Sequence, residues 1–494
     1  MATQPVTVPA PVRRSWALTP RSVVSICLST SFVLIYVLGM VGGIMRANQA
    51  AVVHLPLDTF YSLLTLHGTG MIALVTLAMA AGLWYAVHDI LDLRPRVLMV
   101  GFALFCLGIV LVLVATLVGG FAAGWTFLYP LPFVNTTWPA WATLAFLLGV
   151  LAVGLGFSIY CMDILTAVVG RYGGLLRGLG LDALIPALGR PGQEVAPPPV
   201  IAATMVGIDG AIGTLAGAVI LIALLAHYVN PAFPIDALWA KNVTYFFGHI
   251  IANLDIYLAA GTIYAYLPTY AGREWKTNGV LALSWVGSLV FVLTAYGHHL
   301  YMDFVQPPAL QFLGESTSYL ASVPPAVVTI FGAVLLVYRS GIRWHVGSVL
   351  LYAGLVGWAV GGTAAELDAS IPFNFVLHNT LWVVAHFHTY LLGGAFLFAI
   401  AFASHFAGER EAMSGWARAG LWLLLGGITL FLASFYVSGL EGVPRREAIQ
   451  PAPGPVLSLY ATAAVAVLLA GLTLVLLDVW HRARRSRAFP EEAA

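Results

Sequence analysis

The chain has 494 residues, of which 60% are hydrophobic and 9% charged, with a formal net charge of +1 at pH 7. A soluble domain carries roughly 25% charged residues, so this is an integral membrane protein, and its near-zero net charge gives no footprint for nucleic acid. Cys27, Cys106 and Cys161 are scattered through apolar stretches without a CxxC or CxxCH. That excludes a thiolate metal site and a covalent c-type haem, and the three read as small buried hydrophobes.

Arg13, Arg14 and Arg21 precede a long apolar run that has no cleavage signature, so the run is predicted to be a first membrane helix and not a removed signal. A span takes about 20 apolar residues, which gives about twelve helices. They fall near 21–46, 57–90, 95–119, 139–166, 200–227, 241–269, 277–300, 316–338, 343–363, 374–405, 416–438 and 455–482. Backbone groups must be satisfied internally in lipid, so the predicted fold class is an all-α polytopic membrane bundle. The longest connection, "GRYGGLLRGLGLDALIPALGRPGQEVAPPP", reads as a surface loop. The expected organisation is an N-terminal segment 1–20, one membrane domain 21–482 and a tail 483–494. Of 22 lysines and arginines, all but Arg46, Lys241, Arg445 and Arg446 fall on the side shared by both termini. The positive-inside rule makes that side cytoplasmic. The four exceptions need a reason.

Seven of the 13 histidines lie within or beside predicted spans toward one face: His67, His249, His298, His299, His378, His386 and His388. At about 1.5 Å per residue they share one depth, the outer half of the membrane. A single one reads as a hydrogen-bonded core histidine. Histidines from four helices at one depth read as metal ligands, because intramembrane ionisable groups are costly and imidazole suits Cu, Fe and Zn. His386 and His388, two apart, point to opposite sides of their helix and serve two different centres. His298 and His299 are adjacent at a helix end and can reach one ion, with His249 as a third ligand. Three imidazoles leave the open position that a catalytic metal needs.

This constellation resembles subunit I of the haem–copper oxidase superfamily, in its compact ba3-like branch, over nearly the whole chain. The matching stretches are "LLTLHGTGMI", "GHIIANLDIYLAAGTIYAYLP", "TAYGHHLYMD", "FVLHNTLWVVAHFHTYL" and "GLEGVPRR", in family order. The resemblance implies two haems, one low-spin and one high-spin and at least in part b-type, and one non-haem metal. It makes His67 and His388 axial ligands of the low-spin haem, and His386 the proximal ligand of the high-spin haem. It makes His249, His298 and His299 the non-haem metal site, and places Arg445, Arg446 and His378 near haem propionates. It also implies a smaller electron-entry subunit, with a dicopper cupredoxin or a cytochrome c domain, or direct quinol oxidation, in a prokaryotic cytoplasmic membrane.

The chain departs from the family at Asn253. Oxygen reductases of this branch carry a tyrosine four residues after the helix-six histidine, bonded to it, which supplies an electron and a proton when the O–O bond breaks. An amide can only donate and accept hydrogen bonds. Coupling two NO molecules to N2O and water takes two electrons, which a high-spin haem and a non-haem metal can hold between them. The expected function is therefore nitric oxide reductase, with catalytic residues Asn253, His249, His298, His299 and His386, and copper favoured over iron for want of a carboxylate ligand. The alternatives are an oxygen reductase that tolerates Asn253 and, remotely, a proton or metal transporter. For protons, the inner track of the oxidases looks thinned at Ala260, Pro324, Pro325, Ala326 and Val327, although Thr262, Tyr264, Ser318, Ser322 and Thr329 remain. Glu315, Glu366 and Asp368, with Asp303 nearby, suggest a route from outside. Asp255 points away from Asn253 and reads as a hydrogen-bonded structural group or a relay.

Overall fold

The computed structural model describes residues 18–488, apart from 136, 190, 191, 193 and 409–411. Most of the expected N-terminal segment 1–20 and the end of the tail 483–494 lie outside the described residues. Twelve helices are long and apolar enough to cross a membrane. They are α1 Pro20–Gln49, α2 Leu57–Leu91, α3 Pro95–Val118, α4 Ala140–Tyr172, α5 Pro198–Val229, α6 Ala237–Ala271, α7 Gly279–Leu300, α8 Pro308–Val337, α9 Val346–Ala369, α10 Leu381–Ala407, α11 Gly415–Leu440 and α12 Gly454–Arg485. Among the described residues there is no strand, only one antiparallel bridge between Thr380 and Pro444.

Polar side chains start these helices where the sequence offers them. Thr19 and Ser22 form a capping box on α1, while Asp236, Asn278 and Ser414 accept from backbone N–H groups at the starts of α6, α7 and α11. Each satisfies a donor that the first helical turn leaves without a partner. The outward faces stay apolar, as at Val110, Leu215, Val290 and Phe331, which suits lipid contact. The helices that carry the site are the most enclosed: α6 and α10 bury 72% and 78% of their apolar window. These two central helices hold His249, Asn253, His386 and His388, so the costly groups sit inside the bundle and not against lipid.

Three stretches differ from expectation. Helix α8 begins at Pro308, not near 316, and Pro324 and Pro325 fall well inside it. Proline at the first helical position is pre-organised for a helix start, and Ala309, Leu310, Phe312 and Leu313 continue it as an apolar segment. Helix α10 does not begin near 374. A separate short helix, Ile371–Leu377, comes first, and a break at 378–380 follows. The break is held by the connection after α11: Leu381 N–H donates to Val443 O and Arg445 N–H to Asn379 O, both at 2.9 Å. The long connection before α5 is more ordered than a plain surface loop, with short turns at Leu175–Gly178, Leu181–Ala183 and Pro186–Leu188. Arg177 and Asp182 are both buried there, 3.7 Å apart.

All four exceptional cations lie toward one face, and three of them have a side-chain partner among the described residues. Lys241 Nζ meets Asp303 at 2.6 Å. Arg46 donates to Gln49 Oε1 at 2.6 Å and stacks over Phe435. Arg445 is tied to Asn379, and both Arg445 and Arg446 border an internal cavity.

Candidate metal centre

His67 on α2 and His388 on α10 face each other. Their ring centroids are 6.3 Å apart and their planes differ by 16°. His67 Nδ1 meets Leu38 O and His388 Nδ1 meets Val384 O, each at 2.9 Å. A carbonyl only accepts, so each ring carries its proton on Nδ1 and leaves Nε2 as a ligand atom. Two imidazoles on opposite sides of one metal, each at roughly 2 Å, need a gap of this size. Helix α1 approaches His67 closely at Gly42, where any Cβ would stand 2.8 Å from His67 Cε1. A larger residue there would push the imidazole out of line.

On the other side of α10, His249, His298 and His299 converge. Their ligand nitrogens all lie within 4.8 Å of one another. His298 and His299 sit on a 3₁₀ turn, Tyr296–Leu300, at the end of α7. Gly314 of α8 packs on that turn, since a Cβ there would lie 2.6 Å from His298 N. Ser318, one turn further along α8, is 2.8 Å from His298 Nδ1. Its own hydroxyl proton is directed to Gly314 O at 2.6 Å, so Ser318 Oγ accepts from His298 Nδ1–H and leaves Nε2 as the ligand atom. His249 turns Nδ1 toward His299 Nε2 at 3.2 Å. Its other nitrogen, Nε2, is 3.3 Å from Asn253 Nδ2. Asn253 therefore touches the imidazole edge that faces away from the other two histidines.

His386 borders two cavities, of ≈ 350 Å³ and ≈ 510 Å³. The smaller also holds His67, His388, Arg46, His378, Arg445 and Arg446 on its walls. The larger is bounded by His249, Asn253, His298, His299, Glu366 and Asp368. Asp368 Oδ2 lies 3.5 Å from His386 Nε2, and His386 Nδ1 has no hydrogen-bond partner among the described residues. His378 is positioned by Asn374, whose Oδ1 is 3.1 Å from His378 Nδ1. Burial, with Arg445 adding to it, brings His378 down to about 4, so it is neutral at pH 7. Burial, and then the neighbouring Arg446, brings Arg445 down to about 10, so it keeps its charge there.

The proton-path candidates separate. Glu366 and Asp368 border the larger cavity, whereas Glu315 does not and accepts from Ile371 N–H. Asp255 reaches the cavity edge but is bonded to Thr76 of α2 at 2.8 Å. Tyr264 is bonded to Thr329 at 2.6 Å and accepts from Trp285 Nε1 at 3.0 Å, and it borders neither cavity. Trp285, which does border the larger cavity, separates Tyr264 from it. Thr262 is buried and bonded to its own helix.

Two residues emerge that the histidine pattern did not single out. Ser318 fixes the tautomer of His298. Arg46 borders the smaller cavity with Nε and Nη2 lacking any hydrogen-bond partner among the described residues. A buried guanidinium with free donors fits an acceptor on a bound group. Its signal in the sequence was its place among the four cations on the wrong side.

This geometry has a family. Residues 22–475 match the family described as Cytochrome C and Quinol oxidase polypeptide I. The chain belongs to that family. Similar relatives include a probable cytochrome c oxidase subunit 1 of Bradyrhizobium diazoefficiens, 24% identical over 427 residues, which covers 81% of this chain and 60% of the relative. The ubiquinol oxidase subunit 1 of Acetobacter aceti is 23% identical, covering 83% of this chain and 62% of the relative. The cytochrome c oxidase subunit 1 of Synechocystis is 24% identical, covering 92% and 82%. The chain thus spans only about three fifths of the first two relatives' length. A solved heme-copper terminal oxidase dimer has the same fold, with a TM-score of 0.73 at 18% identity, covering 94% of this chain and 84% of that one. The paired His67/His388 rings, the three-histidine cluster and the free Arg46 donors fit the haems and the metal centre of this oxidase family. In the family frame, His67 and His388 would hold the low-spin haem, His386 the high-spin haem, and His249, His298 and His299 the non-haem metal.

Proposed function

We propose that this chain is the catalytic subunit of a respiratory nitric oxide reductase, converting two NO to N2O and water. The observation that carries the reading is the contact of Asn253 with His249 Nε2, at the place where an oxygen reductase of the ba3-like branch has its redox-active tyrosine. An amide holds the histidine and exchanges neither an electron nor a proton. When bound, the high-spin haem and the non-haem metal supply the two electrons and the open coordination that a pair of NO molecules needs. The protein's own part is to hold His249, His298, His299 and His386 around the larger cavity, to exclude bulk water and to deliver protons. Copper is favoured over iron, because the cluster is all imidazole. The centres lie in the outer half of a prokaryotic cytoplasmic membrane. Electrons come through a smaller subunit with a cupredoxin or cytochrome c domain, or from quinol.

A second reading is oxygen reduction. The relatives' names favour it, and Tyr257 and Tyr390 both border the larger cavity, where a tyrosine could serve as hydrogen donor. Purified holoenzyme separates the two. NO consumption with N2O formation supports the reductase, whereas sustained four-electron O2 reduction without NO consumption would refute it.

A further inference from the structure

Three carboxyls border the larger cavity, Asp255, Glu366 and Asp368, and Glu366 is the one that meets a side chain of α8. It comes from the end of α9 and meets Ser322 Oγ of α8 through Oε1. Its second oxygen, Oε2, is buried and has no hydrogen-bond partner among the described residues. Asp368, on the same wall, instead contacts His386; Asp255 also keeps one oxygen without a hydrogen-bond partner among the described residues, but its other oxygen meets Thr76 of α2, away from α8.

The hydrogen bonds specify where the protons are. Ser322 Oγ also lies 2.7 Å from Ser318 O, and that carbonyl can only accept. One hydroxyl carries one proton and cannot serve both neighbours. With the Ser322 proton on the carbonyl, the remaining bond needs an O–H from Glu366. A buried carboxyl with one oxygen unpartnered is also far less costly neutral than charged. Glu366 therefore stands at the cavity as an acid with its proton in place.

Access to Glu366 is also built. Glu315, Ser318 and Ser322 follow one another along one face of α8, one turn apart; the Ser318 hydroxyl is engaged by Gly314 O and His298 Nδ1, so this face offers a path for bridging water and not a serine relay. Tyr319 is partly exposed and donates to Glu366 O at 3.3 Å. The stripe leads from the face of the bundle that carries Arg445 and Arg446 down to the cavity. A cavity of ≈ 510 Å³ with Ser322, Asn253 and Glu366 on its wall has room and polar partners for bridging water.

We propose that Glu366 is the proton donor to the metal cavity, recharged along the Glu315 side of α8. This rests on the reading of the larger cavity as a site of proton-consuming reduction. In each transfer the Glu366 O–H bond breaks and a new O–H bond forms on the substrate oxygen that leaves as water. The electron comes from the one-electron donor of the holoenzyme, and the carboxylate regains a proton from solvent. Two such protons balance 2 NO + 2 e⁻ + 2 H⁺ → N2O + H2O.

The test uses purified holoenzyme and the variants E366Q, E366D and S322A, with haem and metal content as the check on assembly. In E366Q, NO binding to the reduced enzyme is expected to persist while proton uptake and turnover fall about 100-fold, and E366D restores part of the rate. The oxidised-minus-reduced infrared difference spectrum is expected to show a carboxyl C=O band that E366Q abolishes and S322A shifts. Wild-type proton uptake in a fully assembled E366Q overturns the assignment. Should E366Q fail to bind haem, an unmoved carboxyl band in S322A overturns it instead. If the wild type reduces O2 and not NO, the nitric oxide reading fails alone. The same proton-uptake comparison is then run with O2, and the Glu366 assignment stands or falls on it.

Discussion

Asn253 Nδ2 lies 2.8 Å from the His249 backbone carbonyl and 3.3 Å from His249 Nε2. The carbonyl only accepts, so it fixes which side of the amide is nitrogen. The amide then spans one turn of α6 and holds the imidazole against the other two ligands. With a metal on His249 Nδ1 the ring proton would sit on Nε2, facing an amide nitrogen that donates to the carbonyl and cannot accept, so the amide positions the ring by packing and not by a hydrogen bond to Nε2.

Removing the amide therefore loosens the metal. Asn253→Ala is expected to lower metal affinity and NO turnover by about 10- to 100-fold, the usual effect of losing a group that orients a ligand. Asn253→Asp, which can only accept, keeps the metal. Chelator competition and NO consumption measure both. Asn253→Tyr does not by itself create an oxygen reductase. An unchanged rate in Asn253→Ala means that the amide only fills space.

The paired rings make a separate prediction. His388→Ala or His67→Ala removes one side of the 6.3 Å pair, while the three-histidine cluster stays intact. Loss of the low-spin absorption bands, with the non-haem metal retained, is the expected outcome. Haem extraction and metal analysis on the same preparation check it.

Ser318 sets the tautomer of His298 from outside the cluster. Ser318→Ala leaves His298 Nδ1 without its 2.8 Å partner and is expected to weaken metal binding about 10-fold or more. Ser318→Thr retains the hydroxyl and should restore it. If both variants bind metal as the wild type does, the tautomer is set by something else.

His378 is brought down to about 4 by burial and then by Arg445. A base with a lowered pKa is neutral above that value, so His378 does not change charge through the neutral range. The pH–rate profiles of the wild type and His378→Gln are expected to have the same shape between about pH 5.5 and 8, where an ordinary histidine titrates. A titration step present in one profile and missing from the other contradicts this.

Asp255 is predicted to be structural. Thr76 Oγ1 is 2.8 Å from both Ile72 O and Asp255 Oδ1, so its single proton goes to the carbonyl and Asp255 supplies the other. An asparagine side chain can donate in the same way. Asp255→Asn is expected to keep turnover, while Asp255→Ala leaves a buried hydroxyl short of a partner and costs about 1–3 kcal/mol. Thermal unfolding in detergent and NO turnover separate this role from a relay, in which Asp255→Asn loses activity.

Much of the bundle was legible because a membrane span writes itself in one dimension. About 20 apolar residues make a helix wherever they occur, and charge at the ends sorts the connections. What failed at the boundaries was local competition. The apolar window near 316–338 hides an earlier start, where Pro308 begins the helix and Leu310, Phe312 and Leu313 continue it. The run from 374 to 405 reads as one helix, yet the 441–446 connection bonds into it at Asn379 and Leu381 and breaks it.

The site divides in the same way. The histidines stood out by chemistry and depth, and the spacing of His386 and His388 alone set them on opposite sides of α10. Ser318, Arg46 and Glu366 stood out far less, because a serine, an arginine or a glutamate near a helix end is ordinary in one dimension. Only the packing of α8 against the end of α7 brings Ser318 to His298, and only the meeting of α8 with α9 brings Ser322 to Glu366. Which side chains offer metal-ligand chemistry was legible in the chain, because ligand chemistry belongs to the side chain. Which proton sits on which nitrogen or oxygen was settled by packing, because a tautomer is set by the partner across the gap, and that partner comes from another helix.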